Sequence, residues 1–444
     1  MTVRTAMQRV ARPATSLRRA FATAPAVENT GQMFPGIKRM SDLIIDRGEG
    51  STVWTADGTP FLDMTSGIGV LSTGHCHPKV VAAVQEQAGK ITHAQQSCFY
   101  SGVALELSDE LLKRAPNMDS VFFANSGAEA VENALRVARQ ATSRDGVICF
   151  MGGYHGRTTG TLAITSSGTS YRGKMPGPMP GGQVIAPYPY EYAGITQEAA
   201  LNGLDMLMKG AINPQEVAAL IIEPVQGEGG YLVPPPGYLK TLREFCNEHG
   251  IKMIADEVQS GMGRTGKLWA LDWEDGVEAD IIVTAKGMGS GYPISAVLTT
   301  AECAAVQHDQ QNSFGGTYGG NAVACAASLA TLRTMDEEGL LDNCTARGEQ
   351  MRAGLAAVSD KYPGVIGEVR GRGLMIGVEF APDMPGEYAG VAGRVSQAAL
   401  GRGMLLLTMG VRQCVRFIPP LVVTEAEIDT ALQIFDESLA QAIA

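Results

Sequence analysis

The segment Asp280-Ile281-Ile282-Val283-Thr284-Ala285-Lys286 is an apolar run that ends in a lysine, and the glycine-rich turn Gly287-Met288-Gly289-Ser290-Gly291 follows it. An apolar run of this length that ends in a turn predicts a buried strand. Lys286 then stands at the carboxyl end of the strand, where open α/β sheets bind their ligands. A partly desolvated lysine amine loses its proton more easily and can form a Schiff base with a carbonyl. The alternative is that Lys286 is a loop lysine that binds no ligand.

Two earlier segments repeat this design, an apolar run that ends in a carboxylate. Ala218–Ile222 precedes Glu223, and Ile251–Ala255 precedes Asp256. The spacing is 33 residues from Glu223 to Asp256 and 30 from Asp256 to Lys286, which is the length of one strand, crossover, strand unit. Parallel neighbouring strands place all three side chains on one edge of the sheet. The sequence therefore predicts a site that contains them.

Composition and length limit the class of protein. A chain of 444 residues favours two domains over a single core. Hydrophobic residues make up 45%, and no apolar run approaches the roughly 18 residues of a membrane span. The net charge of −11 disfavours a nucleic-acid partner. The eight cysteines form no Cys-x-x-Cys pair, and His75 and His77 fit a turn before Pro78, so no metal site is predicted.

Residues 1–24 differ in composition from the rest of the chain. No acidic residue precedes Glu28, and Ala, Ser and Thr surround five arginines: Arg4, Arg9, Arg12, Arg18 and Arg19. This pattern is typical of a transit peptide, and a disordered basic tail is the alternative. We expect the mature protein in the mitochondrial matrix, with a plastid as the second possibility.

The remaining chain predicts an α/β fold. Asp57-Gly58 joins two short strand-like pieces into a hairpin. Seven apolar strands then alternate with helical patterns between residues 121 and 299. The last, Ser295–Thr299, follows Lys286 too closely for a crossover and is therefore predicted to be antiparallel. We expect an N-terminal segment at 25–85, a large domain at 86–336 and a small domain at 337–444, whose final helix starts with the capping box Thr424–Glu427.

One strand-to-helix junction is suited to hold phosphate. Val121–Ala124 runs into Asn125-Ser126-Gly127-Ala128 and then into a helical pattern. The backbone N–H groups of a helix start bind a dianion, and the Ser126 hydroxyl adds a further donor beside Gly127 and Ala128. The alternative is that Ser126 serves only as the helix N-cap.

A phosphate-bearing cofactor with an aldehyde uses all of these parts, and pyridoxal 5'-phosphate is the candidate. Lys286 bonds to the aldehyde, and Asp256 pairs with the pyridine nitrogen and keeps it protonated. Gln259 reaches the ring hydroxyl, and Tyr154, in the loop Gly152–Thr158, stacks on the ring. Asp256 as an N-cap and Tyr154 as a loop anchor are the alternatives.

From about residue 34 the chain resembles the class III pyridoxal-phosphate aminotransferases. The resemblance rests on Leu220–Gly230, Asp256–Gly266, Ala285-Lys286-Gly287 and Phe314–Asn321. It implies a fold-type I structure, in which a large domain has a seven-stranded, mostly parallel sheet and both chain ends form a smaller α/β domain. It also implies a homodimer in which Thr317 of the neighbouring subunit reaches the phosphate. Lys286 then carries the proton between substrate and cofactor carbons.

Within this family the chain is similar to the branch that acts on 4-aminobutyrate. The similar segments are Gly67–Val70, Tyr154–Thr158 and Val415–Leu421. The resemblance implies that Arg416 binds the α-carboxylate of glutamate and Arg157 the distal carboxylate, each through a planar guanidinium. It also implies that Glu223 neutralises Arg416 when an ω-amino acid is bound. Ile68 stands where ornithine aminotransferases carry a tyrosine, which favours 4-aminobutyrate.

The expected reaction is transamination of an ω-amino acid, 4-aminobutyrate to succinic semialdehyde, with 2-oxoglutarate or pyruvate as the amino acceptor. Acetylornithine and ornithine aminotransferases are the alternative within the family. A decarboxylase or racemase of the same fold and a non-catalytic assembly partner are the alternatives from other classes. Two arginines with Glu223 favour transamination, and an intact Lys286 disfavours the loss of catalysis. No close cysteine pair is present for an iron–sulfur cluster.

Overall fold

The computed structural model describes residues 34, 36–37, 39–173, 179–309, 313–409 and 411–444. The expected transit peptide, residues 1–24, lies outside these ranges. Contacts between Cα atoms group residues 45–444 into one compact unit. No helix within the described ranges is both long enough and apolar enough to cross a membrane.

The strands of the described residues are numbered in chain order. They are β1 (Ile45–Glu49), β2 (Thr52–Thr55), β3 (Pro60–Asp63), β4 (Ser120–Ala124), β5 (Gly146–Phe150), β6 (Gln183–Ala186), β7 (Val217–Ile222), β8 (Lys252–Asp256), β9 (Ile281–Thr284), β10 (Ser295–Thr299), β11 (Ile366–Arg372), β12 (Met375–Phe380), β13 (Met404–Leu405), β14 (Leu407–Thr408) and β15 (Cys414–Phe417).

The helices are numbered in the same way. They are α1 (Ser66–Gly69), α2 (Pro78–Lys90), α3 (Gly102–Lys113), α4 (Gly127–Thr142), α5 (Thr159–Ala163), α6 (Gln197–Gly210), α7 (Tyr238–His249), α8 (Ala301–Ala305), α9 (Ala322–Glu337), α10 (Leu340–Lys361), α11 (Val391–Leu400) and α12 (Glu425–Ile443). Short 3-10 turns include Thr169–Tyr171 and Lys286–Met288.

The central sheet has seven strands in the order β4-β10-β9-β8-β7-β5-β6. Strands β9, β8, β7, β5 and β6 pair in parallel, whereas β10 is antiparallel to both β4 and β9. The predicted α/β fold with a mostly parallel sheet is therefore confirmed, including the reversed last strand. Every residue of β7, β8 and β9 is buried, as expected for strands covered on both faces.

Both faces of this sheet carry a hydrophobic core. Successive strand residues alternate between the cores: Ile281 and Val283 pack on one face with helix α4, and Ile282 packs on the other. Helix α4 contributes an apolar stripe at helical spacing, from Val131 to Ala138. The packed cores hold the carboxyl ends of β7, β8 and β9 in fixed positions.

Two smaller sheets are built from segments near the chain ends. One has the order β1-β2-β3-β13 and the other β11-β12-β15-β14. In the first, β13 pairs in parallel with β3 of the predicted hairpin, so residues 404–405 join a sheet formed by the N-terminal segment. Helix α12 starts with the predicted capping box at Thr424. The domain boundaries at residues 85 and 336 stay predictions.

Candidate active site

The ends of β7, β8 and β9 bring three polar side chains together. Glu223, Asp256 and Lys286 stand at these three adjacent strand ends and line one cavity of about 510 Å³. Glu223 and Asp256 are buried. The cavity lies at the carboxyl edge of the sheet, the position at which open α/β sheets bind ligands.

Lys286 has an unusual backbone conformation. Its φ angle is +38°, in the left-handed region that a lysine adopts only under strain, and it opens a short 3-10 turn. Desolvation lowers the pKa of the Lys286 amine, although the nearby carboxylates Glu228, Glu223 and Asp256 oppose this shift. A lowered pKa increases the share of neutral amine, the form that attacks a carbonyl.

Asp256 is held by a buried histidine. Its Oδ2 lies 2.7 Å from Nδ1 of His155, and its Oδ1 accepts the N–H of Val258 at 3.1 Å. Burial opposes the charged form of His155, but the hydrogen bond and the charge of Asp256 outweigh it and raise the pKa of His155. His155 follows Tyr154 in the glycine-rich loop, yet its sequence position gave no indication of this contact. The pair keeps the Asp256 carboxylate oriented.

Glu223 is bound by the backbone of two loops. Its Oε1 accepts the N–H of Tyr154 at 2.8 Å and its Oε2 accepts the N–H of Gly227 at 2.9 Å. Burial raises the pKa of Glu223 to about 7, with His155 opposing the shift and Asp256 adding to it. Both oxygens therefore have partners, and no arginine of the described residues is paired with this carboxyl group.

The carboxylate that neutralises Arg416 is Glu228. Arg416, on β15, is buried, and its Nη1 binds Oε1 of Glu228. Burial opposes charge on both groups, but their attraction outweighs it, so the pKa of Glu228 is lowered and that of Arg416 is raised. The expected pair of Glu223 with Arg416 is not formed in this structure, because backbone N–H groups hold Glu223 while the turn beyond β7 carries Glu228 to the guanidinium. Glu228 lies in the same quoted motif, five residues further on.

The start of helix α4 forms another wall of the cavity. Ser126 is its N-cap, with Oγ accepting the N–H of Glu129 at 3.3 Å, so the N-cap interpretation is correct. Ser126, Gly127 and Ala128 nevertheless line the cavity, and no acceptor among the described residues takes the N–H of Gly127 or Ala128. Free N–H groups at a helix start suit a dianion.

An aromatic pair and an arginine form the side of the cavity near the Tyr154 loop. Tyr154 and Arg157 line it, and the ring of Tyr171 packs edge-on against Tyr154 with centroids 5.1 Å apart. The Arg157 guanidinium lies 4.8 Å from the Tyr171 ring centroid. Arg157 is exposed and forms no ion pair within the described parts of the chain. Sequence reasoning missed Tyr171, which belongs to no motif.

Gln259 supplies a buried polar atom without a partner. Its Oε1 has no hydrogen bond to any described residue, although the side chain lines the cavity. Gly227 packs closely against the Gln259 amide. A Cβ atom added to Gly227 would lie only 2.5 Å from Oε1 of Gln259. An oxygen left free in this way suits a hydroxyl donor on a bound molecule.

The structure leaves three predicted residues outside this cavity lining. Arg416 touches the lining through its pair with Glu228. Ile68 is exposed in α1, and Thr317 is exposed in the segment before α9. Their roles stay predictions. The described residues contain no cluster of three or more His, Cys, Asp or Glu side chains arranged to hold a metal ion.

Comparison with known proteins identifies the family. The family model for class-III aminotransferases matches residues 35–439. The chain belongs to this family. A 5-aminovalerate aminotransferase, DavT, from Pseudomonas aeruginosa is 40% identical over 90% of this chain and 94% of its own length. The 4-aminobutyrate aminotransferase GabT of Escherichia coli is 38% identical over 94% and 98% of the two chains.

Solved structures of aminotransferases have the same fold. An ornithine aminotransferase from Toxoplasma gondii superposes with a TM-score of 0.80 at 33% identity and covers 90% of each chain. A transaminase obtained by ancestral reconstruction superposes with a TM-score of 0.85 at 28% identity, over 90% of this chain and 92% of its own. This class-III aminotransferase is therefore a fold-type I enzyme that depends on pyridoxal 5'-phosphate.

The cavity of the aminotransferase fits this cofactor. An amine, a carboxylate, a free amide oxygen and free helix N–H groups line one space, and these are the groups that an aldehyde, a pyridinium, a ring hydroxyl and a phosphate require.

Proposed function

We propose that this aminotransferase takes the amino group from an unbranched ω-amino acid, with 4-aminobutyrate as the donor, and passes it to 2-oxoglutarate or pyruvate. The donor is converted to succinic semialdehyde. The observation that carries this proposal is the difference between the two arginines: Glu228 already neutralises Arg416, whereas Arg157 has no carboxylate partner among the described residues.

The shape of the donor matches this arrangement of charge. An ω-amino acid has one carboxylate, which pairs with Arg157, and its reacting carbon bears only hydrogen besides the amine and the chain. Such an uncharged group can lie beside Arg416 only if another residue neutralises the guanidinium, and Glu228 does so. A buried charge left without its partner costs about 3–5 kcal/mol, so the counter-charge is essential for this donor.

The amino acceptor requires an Arg416 that is free of Glu228. 2-Oxoglutarate, and the glutamate formed from it, bring a second carboxylate to the reacting end. Arg416 binds it if Glu228 moves away. Pyruvate brings the same carboxylate but has no distal carboxylate for Arg157. We assign this exchange of partners to Glu228, while Glu223 keeps its contacts to the backbone N–H groups of Tyr154 and Gly227.

The cofactor is assigned to the residues that line the cavity. Asp256 holds the pyridine nitrogen, Gln259 meets the ring hydroxyl, Tyr154 packs on the ring, and the start of α4 from Ser126 to Ala128 holds the phosphate. When bound, pyridoxal 5'-phosphate supplies an aldehyde that captures the substrate amine and a ring that delocalises the electron pair of the reacting carbon.

Lys286 is assigned the proton transfer. Its Nζ accepts the proton from the reacting carbon of the donor and returns a proton to complete the amine transfer. Its lowered pKa suits this task, because a neutral amine can act as a base near neutral pH. His155 holds the Asp256 carboxylate in place during these steps.

5-Aminovalerate is the second candidate donor. Two relatives named 5-aminovalerate aminotransferase DavT, from Pseudomonas aeruginosa and Pseudomonas putida, are 40% and 41% identical to this chain. The two donors differ by one methylene group, which changes binding by about 1–3 kcal/mol in a fitted pocket. A relative from Nostoc named acetylornithine aminotransferase is 39% identical, so N-acetylornithine is the bulkier competitor.

We also propose that the enzyme is a homodimer in which Thr317 of a second copy reaches the phosphate. Large exposed apolar side chains near the termini of α2 and α3 and beside Thr317 support a contact with a second copy: Ile91, Phe99, Tyr100 and Tyr318. Sedimentation of the purified enzyme tests the dimer. We further propose a mitochondrial matrix location, and a fusion that lacks residues 1–24 tests it by failing to enter mitochondria.

Half-reaction rates test the proposed donor. The purified holoenzyme is mixed with 4-aminobutyrate, 5-aminovalerate, N-acetylornithine, ornithine or β-alanine, and the change in cofactor absorbance is followed. We expect 4-aminobutyrate to react fastest, with 5-aminovalerate slower by about 10- to 200-fold. A clear preference for N-acetylornithine would overturn the proposal.

A further inference from the structure

Tyr171 contacts both ends of the site. It is half-buried at the last position of the turn Thr169–Tyr171 and lies outside every motif that points to the cofactor. Its hydroxyl and its ring face different partners. The hydroxyl meets Glu228, and the ring meets Arg157 and Tyr154.

The hydroxyl holds the carboxylate that neutralises Arg416. The Tyr171 hydroxyl donates to Oε2 of Glu228 at 2.9 Å, while Oε1 of the same carboxylate binds Arg416. Each oxygen of Glu228 therefore has its own donor. Burial, followed by the charge of Glu228, raises the pKa of Tyr171, so the hydroxyl keeps its proton and remains a donor.

The ring of Tyr171 is itself fixed by neighbours. The Arg157 guanidinium lies 4.8 Å from its centroid, and Tyr154 packs edge-on at 5.1 Å. A cation over an aromatic face and an edge-on aromatic pair both favour one ring orientation. The hydroxyl is therefore held at Glu228 rather than free to turn into solvent.

We infer that Tyr171 is a positioning residue that holds Glu228 on Arg416 and thereby sets the preference for ω-amino over α-amino donors. This inference rests on the proposed function, in which Arg416 meets the reacting end of the donor. An ω-amino acid needs the Glu228–Arg416 pair closed. A donor with an α-carboxylate needs it open, and opening breaks the Tyr171 hydrogen bond as well as the ion pair.

Equilibrium binding to the holoenzyme tests this inference without turnover. Glutarate has two carboxylates and needs both arginines, whereas butyrate has one and needs only Arg157. Tyr171→Phe removes the hydroxyl and keeps the ring. We expect the variant to bind glutarate about tenfold more tightly than the wild type, because a hydrogen bond to a charged group no longer opposes opening. Butyrate affinity is expected to stay unchanged.

The donor preference supplies a second readout. In Tyr171→Phe the ratio of kcat/KM for 4-aminobutyrate to that for glutamate is expected to fall about tenfold. Tyr188→Phe is the matched control, since its buried hydroxyl bonds only the backbone oxygen of Leu232 among the described residues, at 3.5 Å. This control should change neither the ratio nor glutarate binding.

The outcomes separate this inference from the proposed function. Tighter glutarate binding with constant butyrate binding supports the role of Tyr171, whichever ω-amino donor is used best. Equal changes for both ligands, or no change for either, would overturn it. A wild type that fails to react with any ω-amino donor would instead overturn the proposed function.

Discussion

Arg416 and Arg157 are two arginines of the same site in opposite environments. Arg416 is 4% exposed, lies on a strand of a small sheet and is already paired with Glu228. Arg157 is exposed, lies in a loop and packs against aromatic rings rather than against a carboxylate. This difference supports the proposed donor, because an arginine that already has its own counter-charge does not require a second carboxylate on the substrate.

The two glutamates beyond β7 show the same contrast. Glu228 is paired with a cation: burial raises its pKa, but the charge and hydrogen bond of Arg416, together with Lys286 and Tyr171, outweigh burial and lower the pKa. Glu223 has only backbone donors on its two oxygens, and burial raises its pKa to about 7. Glu223 is buried and Glu228 is half-buried, and their pKa values shift in opposite directions, with an ion-pair partner only for Glu228 among the described residues.

Glu228→Gln is expected to have the largest effect. The substitution leaves Arg416 buried without a counter-charge, which costs about 3–5 kcal/mol, or about 10²- to 4 × 10³-fold in kcat/KM for 4-aminobutyrate. Glutamate brings its own carboxylate to Arg416, so its loss should be less than about tenfold. Single-turnover half-reactions with the two donors measure both values.

The control for this variant is Glu337→Gln. Glu337 forms an exposed ion pair with Lys79 at 2.7 Å, and such surface pairs contribute little. It should leave both half-reactions unchanged. Equal losses of kcat/KM for 4-aminobutyrate and glutamate in Glu228→Gln would contradict the claim that only the ω-amino donor needs Glu228 as a counter-charge for Arg416.

Glu257→Gln tests the effect of burial without a cation. Glu257 is buried, accepts from the Ser260 hydroxyl at 2.7 Å and from the Leu271 N–H at 2.8 Å, and burial raises its pKa from 4.5 to about 7. The neutral form is therefore favoured in the fold. The protonated Glu257 side chain contributes at most about 3 kcal/mol to the free energy of unfolding. This contribution is fully present below pH 4.5 and is lost as pH rises through about 7.

Urea unfolding across this pH range measures the difference. The free energy of unfolding of the wild type, relative to Glu257→Gln, should decrease as pH rises from 4.5 to 7. The exposed Glu248→Gln variant of helix α7 serves as the control and should show no such trend. A pH-independent difference between wild type and Glu257→Gln would show that burial alone does not suppress ionisation here.

Arg157→Gln is expected to have a smaller and uniform effect. Both 4-aminobutyrate and glutamate present a distal carboxylate, so KM should rise about 10- to 100-fold for each and their ratio should stay constant. Arg47→Gln, which removes an exposed arginine 3.8 Å from the Trp54 ring centroid, is the control. A change in the ratio of the two KM values would mean that Arg157 also distinguishes the reacting end of 4-aminobutyrate from that of glutamate.

Much of this architecture could be predicted from local patterns. The apolar runs that end at Glu223, Asp256 and Lys286 predict buried parallel strands, because such runs can be satisfied only in the centre of a sheet. The short connection after Lys286 predicts the reversed strand β10. These features depend on a few consecutive residues and need no knowledge of distant contacts.

The ion pair of Arg416 could not be predicted in this way. Glu223 and Glu228 are five residues apart in one motif, and only the path of the turn between them decides which one reaches β15. Tyr171 is a harder case, because its contacts to Glu228 and Arg157 join three separate segments of the chain. Such contacts arise from tertiary packing and have no local signal.

A double-substitution cycle on Glu228 and Arg416 tests whether Glu228 neutralises Arg416 for ω-amino donors. Half-reactions with 4-aminobutyrate are measured for the wild type, Glu228→Gln, Arg416→Met and the double variant. Each single variant strands a buried charge, whereas the double variant removes both charges together. We predict that each single variant loses about 100-fold or more and that the double variant recovers to within about tenfold of the wild type. A double variant whose loss equals the sum of the two single losses would contradict the claim that Glu228 neutralises Arg416 for ω-amino donors.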